Sequence, residues 1–246
     1  MTDLWYDETG EGSPLVLLHE GVVDSRIWKP VVPLLAERHR VIRYDQRGFG
    51  RSPRPDGPYS LVEDLVGVLD AAGVEQAALA GASRGGNIAL ATAVERPERV
   101  SALILLGSGL PGAPMQVDWT PDQIARWEAA DATEDYKAMA ELDMEAWAPM
   151  GADAELRAMF LENAVWSSSE DPATDEPVAE RVSGITASTL VITAGRDVRG
   201  INEIGDRLAR DIPDARSAVI QEADHMIPWR APEELSHLVL DFLSGR

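Results

Sequence analysis

Ser83 stands in Gly81-Ala82-Ser83-Arg84-Gly85, a GxSxG arrangement entered from the apolar run Ala78-Leu79-Ala80. The chemistry this allows is nucleophilic attack by a hydroxyl. A serine at the tip of a strand-to-helix turn is held in a strained backbone conformation, and its flanking positions are glycine because a β-carbon would collide with the neighbouring strand or helix. At the start of that helix, free amides and the positive end of the dipole favour an alkoxide and a developing oxyanion. GxSxG alone is a modest signal, because small residues in tight packing also produce it. Here the strand precedes it, and Gly86-Asn87-Ile88-Ala89-Leu90-Ala91-Thr92-Ala93 reads as a helix of small residues that stops before Pro97.

A serine hydroxyl is a poor nucleophile near neutral pH and needs a base oriented by an acid. The chain has four histidines. His225, in Glu222-Ala223-Asp224-His225-Met226, follows the last expected strand on the sheet edge that carries Ser83, and it is the expected base. His237 falls inside the final helix, His39 precedes a strand at the opposite edge, and His19 ends the first expected strand. Asp197, in Gly195-Arg196-Asp197-Val198, lies just beyond the penultimate strand and is the natural orienting acid, with Asp224 and Asp206 as alternatives. The order is serine, acid, histidine.

These residues require a sheet that ends all their strands at one edge. Apolar runs alternating with helical patterns give the rhythm of a mostly parallel sheet, with strands expected at 14–19, 40–45, 76–81, 100–107, 188–194 and 217–221. Several runs are too apolar for a sheet exposed on one face, so helices should cover both. Ser60 and Glu63 form a capping-box pattern ahead of a helix over 60–72, and Pro232 opens a last helix with Leu235, Leu238, Val239, Phe242 and Leu243 at helical spacing. Between 107 and 188 no strand is signalled, which is too long for a loop. Residues 120–130, 134–148 and 152–166 read as three helices of an inserted cap, so the expected division is a core of 1–110 and 187–246 around a cap of 111–186.

The composition narrows the function classes. With 246 residues, 45% of them hydrophobic, the chain suits one α/β domain with an insertion. No apolar run approaches the roughly 18 to 20 residues that span a bilayer, and no leader pattern is visible at 1–7, so a cytoplasmic location is expected. The formal charge of −20 argues against nucleic acid and anionic membrane surfaces as partners. Of this charge, residues 111–184 contribute most, with 17 acidic against 4 basic residues. The absence of cysteine excludes disulfides, thiolate metal sites and cysteine nucleophiles.

Together the elbow, the acid and base loops and Asp45-Gln46-Arg47-Gly48-Phe49-Gly50-Arg51-Ser52, which resembles the DxRGxGxS loop, make the chain similar over nearly its whole length to the cap-bearing α/β-hydrolase family. That octapeptide is read as structural. The resemblance implies a doubly wound, mostly parallel sheet, a serine hydrolase working by acyl transfer, a triad of Ser83, Asp197 and His225, and no metal or organic cofactor. Family members follow the oxyanion-loop histidine with glycine, whereas this chain has His19-Glu20-Gly21. Matching from the histidine makes the Gly21 amide one oxyanion donor, with Val22 as the fallback, and the Arg84 amide the other. Glu20 and Arg84, charged residues beside that hole, are expected to pair, or Arg84 to bind a substrate carboxylate. Trp119, Trp127, Trp147 and Trp166, with Met115, Met139, Met144, Met150 and Met159, are shared between the cap's own core and a hydrophobic roof over Ser83. A small carboxylic ester or lactone with a hydrophobic part is the implied substrate. Carbon–carbon bond hydrolysis, perhydrolysis and a non-catalytic ligand receptor are the alternatives; epoxide and haloalkane hydrolases, which use an aspartate at the position of Ser83, are disfavoured.

Overall fold

The computed structural model describes residues 2–167 and 172–245. Along the chain run β1 (Tyr6–Thr9), β2 (Ser13–Leu18), α1 (Val32–Leu35), β3 (His39–Tyr44), α2 (Leu61–Ala71), β4 (Ala77–Ala82), α3 (Arg84–Glu95) and β5 (Val100–Leu106). Then come α4 (Pro121–Asp131), α5 (Tyr136–Trp147), α6 (Ala154–Ser167), β6 (Ser188–Ala194), α7 (Arg199–Asp211), β7 (Ala215–Ile220), α8 (Ile227–Arg230) and α9 (Pro232–Leu243). The strands order as β1-β3-β2-β4-β5-β6-β7. All pair in parallel except β1, which closes the edge antiparallel to β3.

Alternation along the strands divides the apolar residues between two cores. Leu15, Leu17, Ala78, Ala80 and Ile104 face one side, with Leu235 and Val239 of α9, while Val16, Leu18, Leu79, Leu103 and Leu105 face the other, with Leu65 of α2 and Leu208 of α7. Strand β4 is buried at every position, which requires helices on both faces. The inserted helices α4, α5 and α6 pack in sequence order, and Met144, Leu156, Met159 and Phe160 join the first core. Residues 168–171 of the expected cap lie outside the described residues.

Two local expectations change. Ser60 caps α2 through Glu63 N–H at 3.2 Å, but the reciprocal half of the capping box is absent: Glu63 pairs with Arg96. Asp175 instead accepts from the Leu61 and Val62 amides at 2.7 and 3.1 Å. The last strand begins two residues earlier than the pattern suggests, at Ala215.

Candidate active site

Because β2, β4, β6 and β7 run in parallel, the loops that follow them emerge at one edge of the sheet. Ser83 follows β4 with φ 51° and ψ −114°, the strained turn expected of the elbow, and its amide is fixed by the Leu106 carbonyl at 2.9 Å. The glycines are required by contact. A β-carbon at Gly81 would overlap the Gly85 backbone, and one at Gly85 would overlap the Leu18 carbonyl of β2.

Asp197 and His225 meet beside it. His225 Nδ1–H donates to Asp197 Oδ2 at 2.8 Å, while Asp197 Oδ1 accepts from the Val198 amide at 2.7 Å. Both side chains are buried, at 3% and 0% exposure, so the hydrogen bond is shielded from competing water. It fixes the imidazole tautomer with the proton on Nδ1, so that Nε2 is the nitrogen with a free lone pair. Burial pushes the His225 imidazole down, but the charge and hydrogen bond of Asp197, with smaller contributions from Glu20 and Asp224, raise it above the ordinary histidine value. The alternative acids are elsewhere. Asp224 is bound by Arg230 at 2.9 Å and by the Met150 amide at 3.1 Å, and Asp206 is exposed on α7.

After β2, His19 is a clamp and not a proton carrier. Its Nδ1–H donates to the Glu20 carbonyl at 2.7 Å and its Nε2 accepts from the Gln46 amide at 2.9 Å, so both nitrogens are used. Complete burial keeps its pKa low. The octapeptide 45–52 is likewise structural: Asp45 accepts from the Ser25 and Arg51 amides at 3.0 and 2.9 Å.

The expected Glu20–Arg84 pair does not form. Arg84 Nε donates to Gln46 Oε1 at 2.9 Å and its Nη2 to the Tyr59 hydroxyl at 3.2 Å, which draws the guanidinium across Phe49. Gln46 is anchored in turn on the His19 carbonyl. Neither carboxyl oxygen of Glu20, a wholly buried side chain, has a hydrogen-bond partner among the described residues. Burial therefore pushes the Glu20 carboxyl up to about 7, with Asp197 and Asp224 adding to the rise and its own backbone and His225 opposing it. Below about pH 7 it is a proton, and not the guanidinium, that neutralises Glu20.

A cavity of about 350 Å³ opens over Ser83 and His225, lined also by Gly21, Val22 and Arg84. Of the expected aromatic and methionine roof, only Trp147 and Met115 line it. The Trp147 ring lies 4.7 Å from the imidazole of His225. Trp119 packs on Trp127, Trp166 packs on Phe49, Met139 and Met159 are core residues, and Met150 is exposed. Sequence reading missed Asp143 of α5, which lines this cavity. The signal was there: it falls four residues before Trp147 on a helix face that also carries Met139, Ala140 and Met144. A larger groove of about 660 Å³ lies away from Ser83, and most of its charges are paired, as in Arg26 with Asp24 and Glu162, and Lys29 with Glu155.

Comparison with known proteins agrees with this geometry. The family profile described as alpha/beta hydrolase fold matches residues 14–232. The 2-hydroxy-6-oxo-6-phenylhexa-2,4-dienoate hydrolase of Comamonas testosteroni is 32% identical, over 98% of this chain and 91% of its own. Among solved structures, the enol-lactonase of Burkholderia xenovorans LB400 superposes with a TM-score of 0.82 at 27% identity, covering 98% of this chain and 96% of that one. A thermophilic esterase of Thermogutta terrifontis gives a TM-score of 0.82 at 25% identity, covering 98% and 93%. With its mostly parallel sheet, strained serine turn and buried Asp–His pair at one sheet edge, this chain belongs to the α/β hydrolase fold family.

Proposed function

We propose that the chain is a serine hydrolase that cleaves a small carboxylic ester or lactone through an acyl-enzyme on Ser83. The observation that carries this reading is the buried Asp197–His225 hydrogen bond on the cavity that Ser83 enters from its strained turn. Ser83 Oγ attacks the carbonyl carbon while its proton passes to His225 Nε2; the tetrahedral oxyanion collapses, and the leaving oxygen takes that proton. Water repeats the sequence and releases the acid. Asp197 holds the imidazole and balances its charge. The amides of Gly21 and Arg84 are the oxyanion donors, each worth about 3 to 4 kcal/mol of barrier in comparable sites. The scheme uses no metal and no organic cofactor.

In this reading residues 111–186 form a cap domain over a core of 1–110 and 187–246, and α5 supplies the roof through Trp147. The apolar lining from Val22, Met115, Trp147 and Ile201 suits a substrate with a hydrophobic part. No helix among the described residues is long and apolar enough to cross a membrane. A second reading, hydrolysis of a carbon–carbon bond in a vinylogous diketone by the same triad, is favoured by the 32% identity to the Comamonas hydrolase.

A fluorophosphonate probe and a p-nitrophenyl ester series test the proposal. The wild type should be labelled and turn over short esters, while Ser83→Ala should lose labelling and at least about a thousandfold in kcat. A folded wild type that resists the probe would refute the nucleophile assignment. Turnover of a 2-hydroxy-6-oxodienoate in preference to every ester and lactone would select the second reading.

A further inference from the structure

Asp143 is an acid on the wrong face of its helix. On α5, Met139, Ala140 and Met144 are buried, and Asp143 shares that face instead of the solvent face where helices keep their charges. Asp143 lines the cavity of Ser83 and His225. One turn further on, Trp147 lines the same cavity and covers the His225 ring at 4.7 Å. The scheme above gives Asp143 nothing to do, yet an idle carboxyl in such a place costs stability.

The geometry points to Asp143 as a specificity determinant: its carboxylic acid donates a hydrogen bond to a second oxygen of the substrate. The selected class is therefore esters and lactones whose apolar body carries an oxo or hydroxyl group away from the scissile bond. This inference rests on the acyl-transfer reading for the identity of that bond.

The protonation state supports it. Burial pushes the Asp143 carboxyl up to about 7, opposed only by the neighbouring Trp147 indole. The charged groups on the packed helices are engaged with others: Arg126 of α4 with Glu145, and Arg157 of α6 with Glu141. Arg84 and His225 share the cavity, but Arg84 Nε is held by Gln46 and His225 Nδ1 by Asp197. Below about pH 7 the acid therefore carries an O–H to donate; above it, a carboxylate can only accept, and it repels the electron-rich oxygen it would otherwise hold.

The test compares p-nitrophenyl 4-oxopentanoate with p-nitrophenyl 4-methylpentanoate, which differ in the remote oxygen, at pH 6 and pH 8. Because both esters use the same base, titration of His225 cancels in the ratio of their kcat/KM values. In the wild type the oxo ester should be favoured about tenfold at pH 6, one hydrogen bond's worth, and the preference should fall at pH 8. Asp143→Leu should lose it at both pH values. Asp143→Asn, which keeps a donor without a titrating proton, should hold a preference that does not change with pH; it decides the matter if the leucine variant fails to fold.

A preference that survives in Asp143→Leu, or a wild-type ratio flat from pH 6 to 8, would overturn the proposal. The same acyl groups as methyl esters, titrated calorimetrically into Ser83→Ala, read the preference without turnover. Binding preference without wild-type turnover refutes acyl transfer and keeps the role of Asp143; turnover without preference does the reverse.

Discussion

A carboxyl with neither oxygen hydrogen-bonded, wholly buried near His225 and Asp197, is stable only while it keeps its proton. Glu20 is such a group, and its titration near pH 7 adds a charge that strengthens the imidazolium form of His225. Glu20→Gln removes that charge. The acid limb of the kcat/KM profile should then move to lower pH, because the base loses a stabiliser of its protonated form. Stability gives a second readout with a defined sign. A folded-state carboxyl raised from 4.5 to about 7 binds more protons than the unfolded chain between those values, so wild-type stability falls as pH rises across that window, by up to about 3 kcal/mol. Denaturant midpoints at pH 5 and pH 8 should show Glu20→Gln gaining on the wild type at the higher pH. An unchanged difference at the two pH values would mean that Glu20 is already ionised in the folded protein at pH 5.

The inserted helices are tied to the core by apolar packing and by a buried polar bridge. Asn163 of α6, 3% exposed, donates from Nδ2 to Asp24 at 2.9 Å and accepts at Oδ1 from the Gly50 amide at 2.9 Å, joining two core loops. Asn163→Leu takes one hydrogen bond from Asp24, which keeps its pair with Arg26, and leaves the Gly50 amide without its acceptor, so a loss of about 1 to 2 kcal/mol in chemical denaturation is expected, with faster proteolysis within 111–186. A loss below about 0.5 kcal/mol would show that the bridge is not the anchor. Such links are invisible in sequence, since nothing in Asn163 announces Gly50, whereas six strands, the elbow and the Ser83, Asp197, His225 order were legible because period and turn chemistry are local. Besides the one-turn helices α1 and α8, two elements escaped for physical reasons. Strand β1 is four partly exposed, mostly polar residues at the sheet edge, and α7 contains Gly200 and Gly205, which read as helix breakers. The structure explains both glycines: β-carbons there would overlap the Gln116 carbonyl and the Thr193 side chain. The Glu20–Arg84 expectation failed because charge complementarity was judged without Gln46, which takes the guanidinium from the adjacent loop.

At the scale of the molecule, a formal charge of −20 surrounds a cavity whose lining includes one guanidinium, Arg84. The two make opposite demands on an anionic substrate. The net field reaches about 30 Å at 10 mM salt and about 8 Å at 150 mM, so it acts on approach, whereas a contact with Arg84 acts only inside the cavity. Arg84 is already engaged with Gln46 and Tyr59, which weakens its claim on an incoming carboxylate. Repulsion on approach should therefore dominate. The kcat/KM of a carboxylate-bearing ester should rise several-fold between 10 and 150 mM salt, while that of a neutral ester of the same length stays nearly constant. A fall with salt for the anionic ester would reverse the conclusion: it would place the attraction of Arg84 above the field of the whole protein, and the substrate carboxylate expected of that residue would regain its case.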